Sequence, residues 1–127
     1  MDISMIFTII IIALFLWFIY SRIKPVQGLR ILNAREFQSE MAQNRMVIDV
    51  REPAEYKSGF IADAANIPLS QLRGRLQEIP PNQPLLLYCQ SGMRSKTAAQ
   101  ILRKNGCQDL AHLQGGLGGW NGKLIRK

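Results

Sequence analysis

Cys89 is the residue around which chemistry can be built. It closes the apolar run Leu85-Leu86-Leu87-Tyr88 and is followed by Gln90-Ser91-Gly92-Met93-Arg94-Ser95. A thiol is a strong nucleophile only as the thiolate, and a thiolate is stabilised by positive potential. The segment supplies that potential twice: Arg94 brings a full charge, and a tight loop turning into a helix start aims several backbone N–H groups at one spot. The plain alternative is a small core hydrophobe. It accounts for the thiol but not for Gly92, Arg94 and the helix start beside it.

Two elements must position that loop. The short Leu/Tyr run after Pro84 fits a buried strand of a parallel sheet, and Ser95 to Lys104 carries Ala98, Ala99, Ile101 and Leu102 at helical spacing before Asn105-Gly106. Cys89 then stands at a strand's carboxyl end, where open α/β sheets hold ligands. The same alternation recurs along the chain. Strands are predicted at Arg30-Ile31-Leu32, Met46 to Val50, Ala64 to Pro68 and Leu110 to Leu113. Between them, Asn33 and Glu36 form a capping box ahead of Phe37 and Met41, and Pro53 opens a short helix that Gly59 ends. Ser70 caps a further predicted helix through Leu72 and Leu76 to Ile79, stopped by Pro80-Pro81-Asn82. Strand and helix alternating without hairpin signals predict an α/β fold, a parallel sheet covered on both faces.

Asp49, near the end of its strand, needs a loop N–H or a nearby arginine as partner. Cys107 reads as core, Gly115-Gly116 and Trp120 as packing residues, and His112 as a surface or loop-end residue. One histidine and two cysteines make neither a disulfide framework nor a metal site of the common kinds, so no metal is expected.

The first twenty residues are a separate matter. Ile3 to Tyr20 is uncharged over eighteen residues, and a helix of that length spans about 27 Å, enough to cross a bilayer. A cleaved signal peptide has a basic start, a shorter apolar core and a small-residue cleavage site. Here Asp2 is the one charge before the run, and Trp17-Phe18-Ile19-Tyr20 then Arg22, Lys24 and Arg30 follow it. That pattern reads as an uncleaved single-pass anchor, with the carboxyl-terminal domain in the cytoplasm by the positive-inside rule. Such a location keeps both cysteines reduced. The expected division is anchor 1–21, linker 22–30, domain 31–124 and basic tail 125–127.

All sixteen Lys and Arg follow the anchor, and Asp2 is one of the nine acidic residues, so the remainder carries +8 against +7 for the whole chain. The cations are scattered and no aromatic-basic motif accompanies them, which argues against nucleic acid as a partner. A basic domain beside anionic lipid, and attraction of small anions, account for the excess.

Taken in order, Asp49-Val50-Arg51-Glu52, Glu55, Gly59, Asn66-Ile67-Pro68, Cys89 to Ser95, and Gly115-Gly116 with Trp120 resemble a single rhodanese domain over roughly Ile31 to Leu124. The resemblance implies a three-layer α/β/α fold with a five-stranded parallel sheet, and a sulfurtransferase that needs no cofactor beyond a covalent cysteine persulfide. Cys89 would be the catalytic sulfur carrier; Gln90, Ser91, Gly92, Met93 and Arg94 would bind substrate; Asp49, Arg51 and Ser95 would support the loop. The implied partners are a small anionic sulfur donor, thiosulfate or a persulfide, and a thiol or cyanide acceptor.

The C-x4-R spacing from Cys89 to Arg94 resembles the sulfurtransferases, whereas related phosphatases and arsenate reductases have C-x5-R, a loop wide enough for a phosphoryl group. Three departures from the family pattern stand out. Phe60 replaces a frequent histidine, Ala62-Asp63 replaces Pro-Gly, and Arg94 is the loop's one cation. Arg94 has an alternative role as a structural partner of Asp49 or Glu55. The competing function is a non-catalytic module of this fold that docks a protein partner at the membrane.

Overall fold

Alternating side chains on short parallel strands decide the architecture of the computed structural model, which describes residues 2–126. The amino-terminal helix α1 spans Ile3–Ile23 and is followed by β1 (Leu29–Leu32), α2 (Ala34–Met41), β2 (Met46–Asp49), α3 (Pro53–Ser58) and β3 (Ala65–Asn66). Two 3-10 segments, Leu69–Gly74 and Leu76–Glu78, lead to β4 (Leu85–Tyr88), α4 (Met93–Lys104), β5 (Leu110–Leu113) and a 3-10 turn at Gly116–Gly119. All five strands are parallel, in the order β1-β5-β4-β2-β3.

The central strand β4 is buried along its whole length. Its residues divide by the two-residue period of a strand. Leu85, Leu87 and Cys89 pack with Ala98, Ala99, Ile101 and Leu102 of α4 and with Leu72 and Ile79. Leu86 and Tyr88 face Phe37 of α2, with Tyr56 and Trp120 at the edge of that layer. The result is the three-layer α/β/α arrangement expected from the sequence.

Local chemistry sets the helix ends near the site. The Asn33 side chain accepts the Glu36 N–H at 2.8 Å while Glu36 accepts the Asn33 N–H at 3.0 Å, closing the capping box. That start aims the fully buried Phe37 between Tyr88 and Trp120, edge-on to both. At the end of α4 the Cys107 N–H bonds the Leu102 carbonyl at 3.0 Å and carries the Cys107 thiol into the core.

Several boundaries differ from the sequence reading. The helix expected from Ser70 to Ile79 is two 3-10 segments, because Gly74 is a poor helix residue and Arg75 leaves the helical region at φ −125°. Ser70 caps nothing and instead donates to Glu52 at 2.9 Å. α4 begins at Met93, so Met93 and Arg94 belong to its first turn. α1 runs three residues past Tyr20 to Ile23, with Arg22 complementing its carboxyl end, which shortens the linker to residues 24–28. Ile125, assigned to the tail, exchanges two 2.8 Å backbone bonds with Phe60; Met1 of the expected anchor and Lys127 of the tail lie outside the described residues. None of α1 is buried, and it is long and apolar enough to cross a membrane.

At the end of β2 the fully buried Asp49 carboxylate meets Arg51, which is 2% exposed. The Arg51 backbone N–H and Nε donate to Oδ1 at 2.9 and 3.0 Å, and Nη2 donates to Oδ2 and to the Gly59 carbonyl at 2.7 Å each. Both partners anticipated for Asp49, a loop N–H and an arginine, are therefore supplied by one residue. Arg51→Met leaves a buried carboxylate without its counterion, held by the Arg51 backbone N–H and the Tyr88 hydroxyl alone among the described residues, and is expected to cost about 3–5 kcal/mol in chemical denaturation. An Asp49→Leu/Arg51→Met double variant is expected to lose less than Arg51→Met alone.

Candidate active site

The loop after β4 wraps a sulfur atom. The Gly92 N–H donates to Cys89 Sγ at 3.0 Å and the Ser95 N–H at 3.4 Å, while the Ser95 hydroxyl lies 3.6 Å away. Gly92 precedes α4 at φ 102°, a left-handed conformation that L side chains rarely adopt and that turns its N–H inward. The positive end of α4 adds to the field at the sulfur.

The opposite edges of the loop's peptides are tied outward. The Cys89 carbonyl accepts the Leu117 N–H at 3.0 Å and the Gln90 carbonyl accepts the Gly118 N–H at 3.2 Å. Gly116 lets that turn come so close, because a Cβ there would press on the Cys89 carbonyl and sit 2.6 Å from the Gln90 oxygen. With the carbonyls held away, the loop presents N–H groups to the thiol. Such an arrangement stabilises negative charge on sulfur.

Cys89 itself is fully buried beneath this loop. Gln90, Ser91 and Met93 form an exposed rim, and Gly92 and Arg94 are half-buried. A groove of about 320 Å³ opens beside the rim, lined by Ser91, Gly92, Met93, Lys96 and His112 together with Val26 of the linker.

Arg94 lies at the rim, but its guanidinium forks onto Glu55 of α3, at 2.7 and 2.9 Å. The Arg94 hydrogen bonds hold the Glu55 carboxyl down to about 2, opposed by partial burial and assisted by the Glu52 N–H that it also accepts. Asp49 and Arg51 fix the loop that carries α3. Asn66 adds to this by donating to the Asp49 and Arg51 carbonyls at 3.0 and 2.9 Å. Of the residues singled out in the sequence, Cys89, Gly92 and Ser95 converge on the sulfur and Gln90, Ser91 and Met93 border it. Arg94, Asp49 and Arg51 act on neighbouring groups.

His112 corrects the sequence reading. It is 7% exposed, on the α4 side of β5, and its Nδ1 lies 2.7 Å from Ser95 Oγ. β5 is an interior strand with β1 and β4 at its edges, and α4 packs on one of its faces while α2 and the Gly116–Gly119 turn pack on the other. Burial, and secondarily Lys96, push the His112 pKa below its ordinary value. The available signal was its place inside Leu110-Ala111-His112-Leu113, an otherwise apolar strand. Cys107 is in the core as expected, and burial pushes its thiol pKa up. Among the described residues no group of three or more His, Cys, Asp or Glu side chains is placed to hold a metal ion.

Comparison with known proteins agrees with this geometry. A family model described as a rhodanese-like domain matches residues 33–123. The chain is 43% identical over 124 residues to the uncharacterized protein YqhL of Bacillus subtilis, covering 98% of each. A protein named sulfurtransferase from Allochromatium vinosum is 36% identical over 75 residues, 59% of this chain and 70% of that one. The crystal structure of a rhodanese-related protein from Thermoplasma volcanium superposes with a TM-score of 0.70 at 29% identity, over 77% of this chain and 99% of that one.

Gly116 is the most sensitive point of the loop's outer support. Gly116→Ala is expected to cost about 1–3 kcal/mol through its positive φ and the close carbonyls. It should also alter the rate at which iodoacetamide modifies Cys89, read by peptide mapping; an unaltered rate would show that the turn does not hold the loop.

Proposed function

This chain belongs to the rhodanese-like sulfurtransferase family, and we propose that it carries sulfane sulfur as a persulfide on Cys89. The observation that carries the reading is the pair of N–H groups, from Gly92 and Ser95, directed at one sulfur atom. In the first half reaction the Cys89 thiolate attacks the outer sulfur of the donor. The new S–S bond forms as the old one breaks, and its electron pair leaves on sulfite when the donor is thiosulfate, or on a thiolate when it is a persulfide. In the second, a cyanide or thiolate acceptor attacks the terminal sulfur, forms thiocyanate or a new persulfide, and returns Cys89 as the thiolate. Charge stays on sulfur throughout, so the same N–H groups stabilise both half reactions, and no cofactor takes part.

Two features refine the reading. Cys89 lies beneath its loop, so the rim residues Gln90, Ser91 and Met93 shift for a donor to reach it. The loop's one cation, Arg94, is already paired with Glu55. A doubly charged donor therefore meets a neutralised pair, which supports a persulfide over thiosulfate as the better donor. α1 serves as a single-pass membrane anchor in this reading, with the domain on the cytoplasmic side after Arg22, Lys24 and Arg30.

Intact-mass measurement of the detergent-solubilised protein tests the chemistry. One added sulfur atom is expected after incubation with donor, lost with cyanide and absent in Cys89→Ser. Loading should be faster from a persulfide than from thiosulfate, and Glu55→Gln should narrow the gap roughly twofold to fivefold, the scale of a half-exposed ion pair. No added mass from either donor would favour a non-catalytic docking module. For the topology, a reporter fused at the carboxyl terminus that works only outside the cytoplasm is expected to be silent; activity would reverse the assignment.

A further inference from the structure

A histidine on the interior strand of a covered sheet is costly to bury without a partner, and among the described residues this one has one hydrogen-bond partner. Its Nδ1 lies 2.7 Å from Ser95 Oγ, and the same hydroxyl lies 3.6 Å from the Cys89 sulfur and 3.1 Å from the Gly92 carbonyl. Cys89 and Ser95 are fully buried, so no bulk water stands between the thiol and the imidazole. A hydroxyl can accept one proton while releasing another, which makes Ser95 a bridge rather than an end point.

We propose that His112 is the proton acceptor for Cys89, acting through Ser95. The S–H bond of Cys89 breaks as its proton passes to Ser95 Oγ, and the proton already on Oγ passes to Nδ1 of the imidazole, which is in the tautomer protonated at Nε2. The products are a thiolate facing the Gly92 and Ser95 N–H groups and an imidazolium on His112; no electrons change hands. After transfer the proton returns along the same bridge or leaves by the groove that His112 lines. His112 is a positioning residue for the proton, and Ser95 is the group in contact with sulfur.

The surroundings favour this role. Burial lowers the proton affinity of the ring, which keeps it neutral and able to accept. The titratable group that faces it is Lys96 from α4, with Cys89 one hydroxyl away through Ser95, while the flanking strands place Ile31 and Leu87 beside it. Lys96 disfavours the imidazolium until a thiolate forms, so the two protonation states are coupled. The purpose of the relay rests on the reading of Cys89 as a sulfur carrier, but the relay is measured without any sulfur transfer.

The chain has a single histidine, so its ring signal in the full-length protein in micelles is unambiguous by NMR. Its titration midpoint is expected to move when Cys89 is blocked with iodoacetamide; an unmoved midpoint overturns the proposal without recourse to any variant. Alkylation of Cys89 at neutral pH is expected to slow about 10- to 100-fold in both Ser95→Ala and His112→Asn, the lower range of what a positioned base contributes. The Asn side chain still accepts from Ser95 but cannot titrate, so the low-pH limb of the rate profile should move to higher pH, where the thiol ionises without an internal acceptor. An unchanged rate, or slowing by one factor at every pH, would assign His112 a structural role only. Coupling without sulfur loading would retain the relay and remove the carrier; loading without coupling would do the reverse.

Discussion

A carboxylate buried at the end of a central strand must be neutralised where it stands, and much of this site follows from how Asp49 meets that requirement. Arg51, two residues on, turns back and satisfies it with both its backbone and its guanidinium. That closure fixes the path of the chain out of β2 and, through the Gly59 carbonyl, the far end of α3. Glu55 is thereby set where it receives Arg94 from the first turn of α4. Two helices on opposite sides of the sheet are linked across its carboxyl edge by a half-exposed pair whose position depends on a buried one. The buried pair is the one whose disruption is costly, because neither charge can turn to water.

The same edge shows which source of positive potential acts on the sulfur. From the sequence, Arg94 and the loop N–H groups compete for that role. In the structure the arginine is neutralised by Glu55, while the Gly92 and Ser95 N–H groups point at Sγ and α4 begins beneath it. Backbone dipoles need no counterion and, once the outer carbonyls are tied to Leu117 and Gly118, cannot rotate away. They are the preorganised part of the site. Arg94 contributes position and a local charge balance rather than a bare cation.

Burial of the thiol has a second consequence. A nucleophile sealed beneath its own loop is shielded from adventitious oxidants, and its proton has no direct route to water. The neighbouring hydroxyl and imidazole offer an internal one. Cys107, whose pKa burial raises and which packs in the apolar core, shows the contrast within one chain.

Local pattern determined a great deal. A parallel α/β sheet, Cys89 at the carboxyl end of its central strand, the capping box at Asn33, the need of Asp49 for a partner and the apolar amino-terminal helix are all legible in the sequence. Each depends on residues within a few positions of one another, where period, cap and turn chemistry act directly. The break in the segment from Leu69 to Glu78 was partly legible in Gly74, but its 3-10 form was not, since packing of Leu72 and Ile79 onto the sheet outweighs helix pattern over so short a stretch. Only the tertiary structure decided that Arg94 meets Glu55, 39 positions away, that Leu117 and Gly118 hold the cysteine loop open to its own N–H groups, and that His112 reaches Ser95. The reason is strand order. With β5 inside the sheet, α4 packs over one face and α2 and the Gly116–Gly119 turn over the other, and that makes a histidine in an otherwise apolar strand a buried neighbour of the thiol.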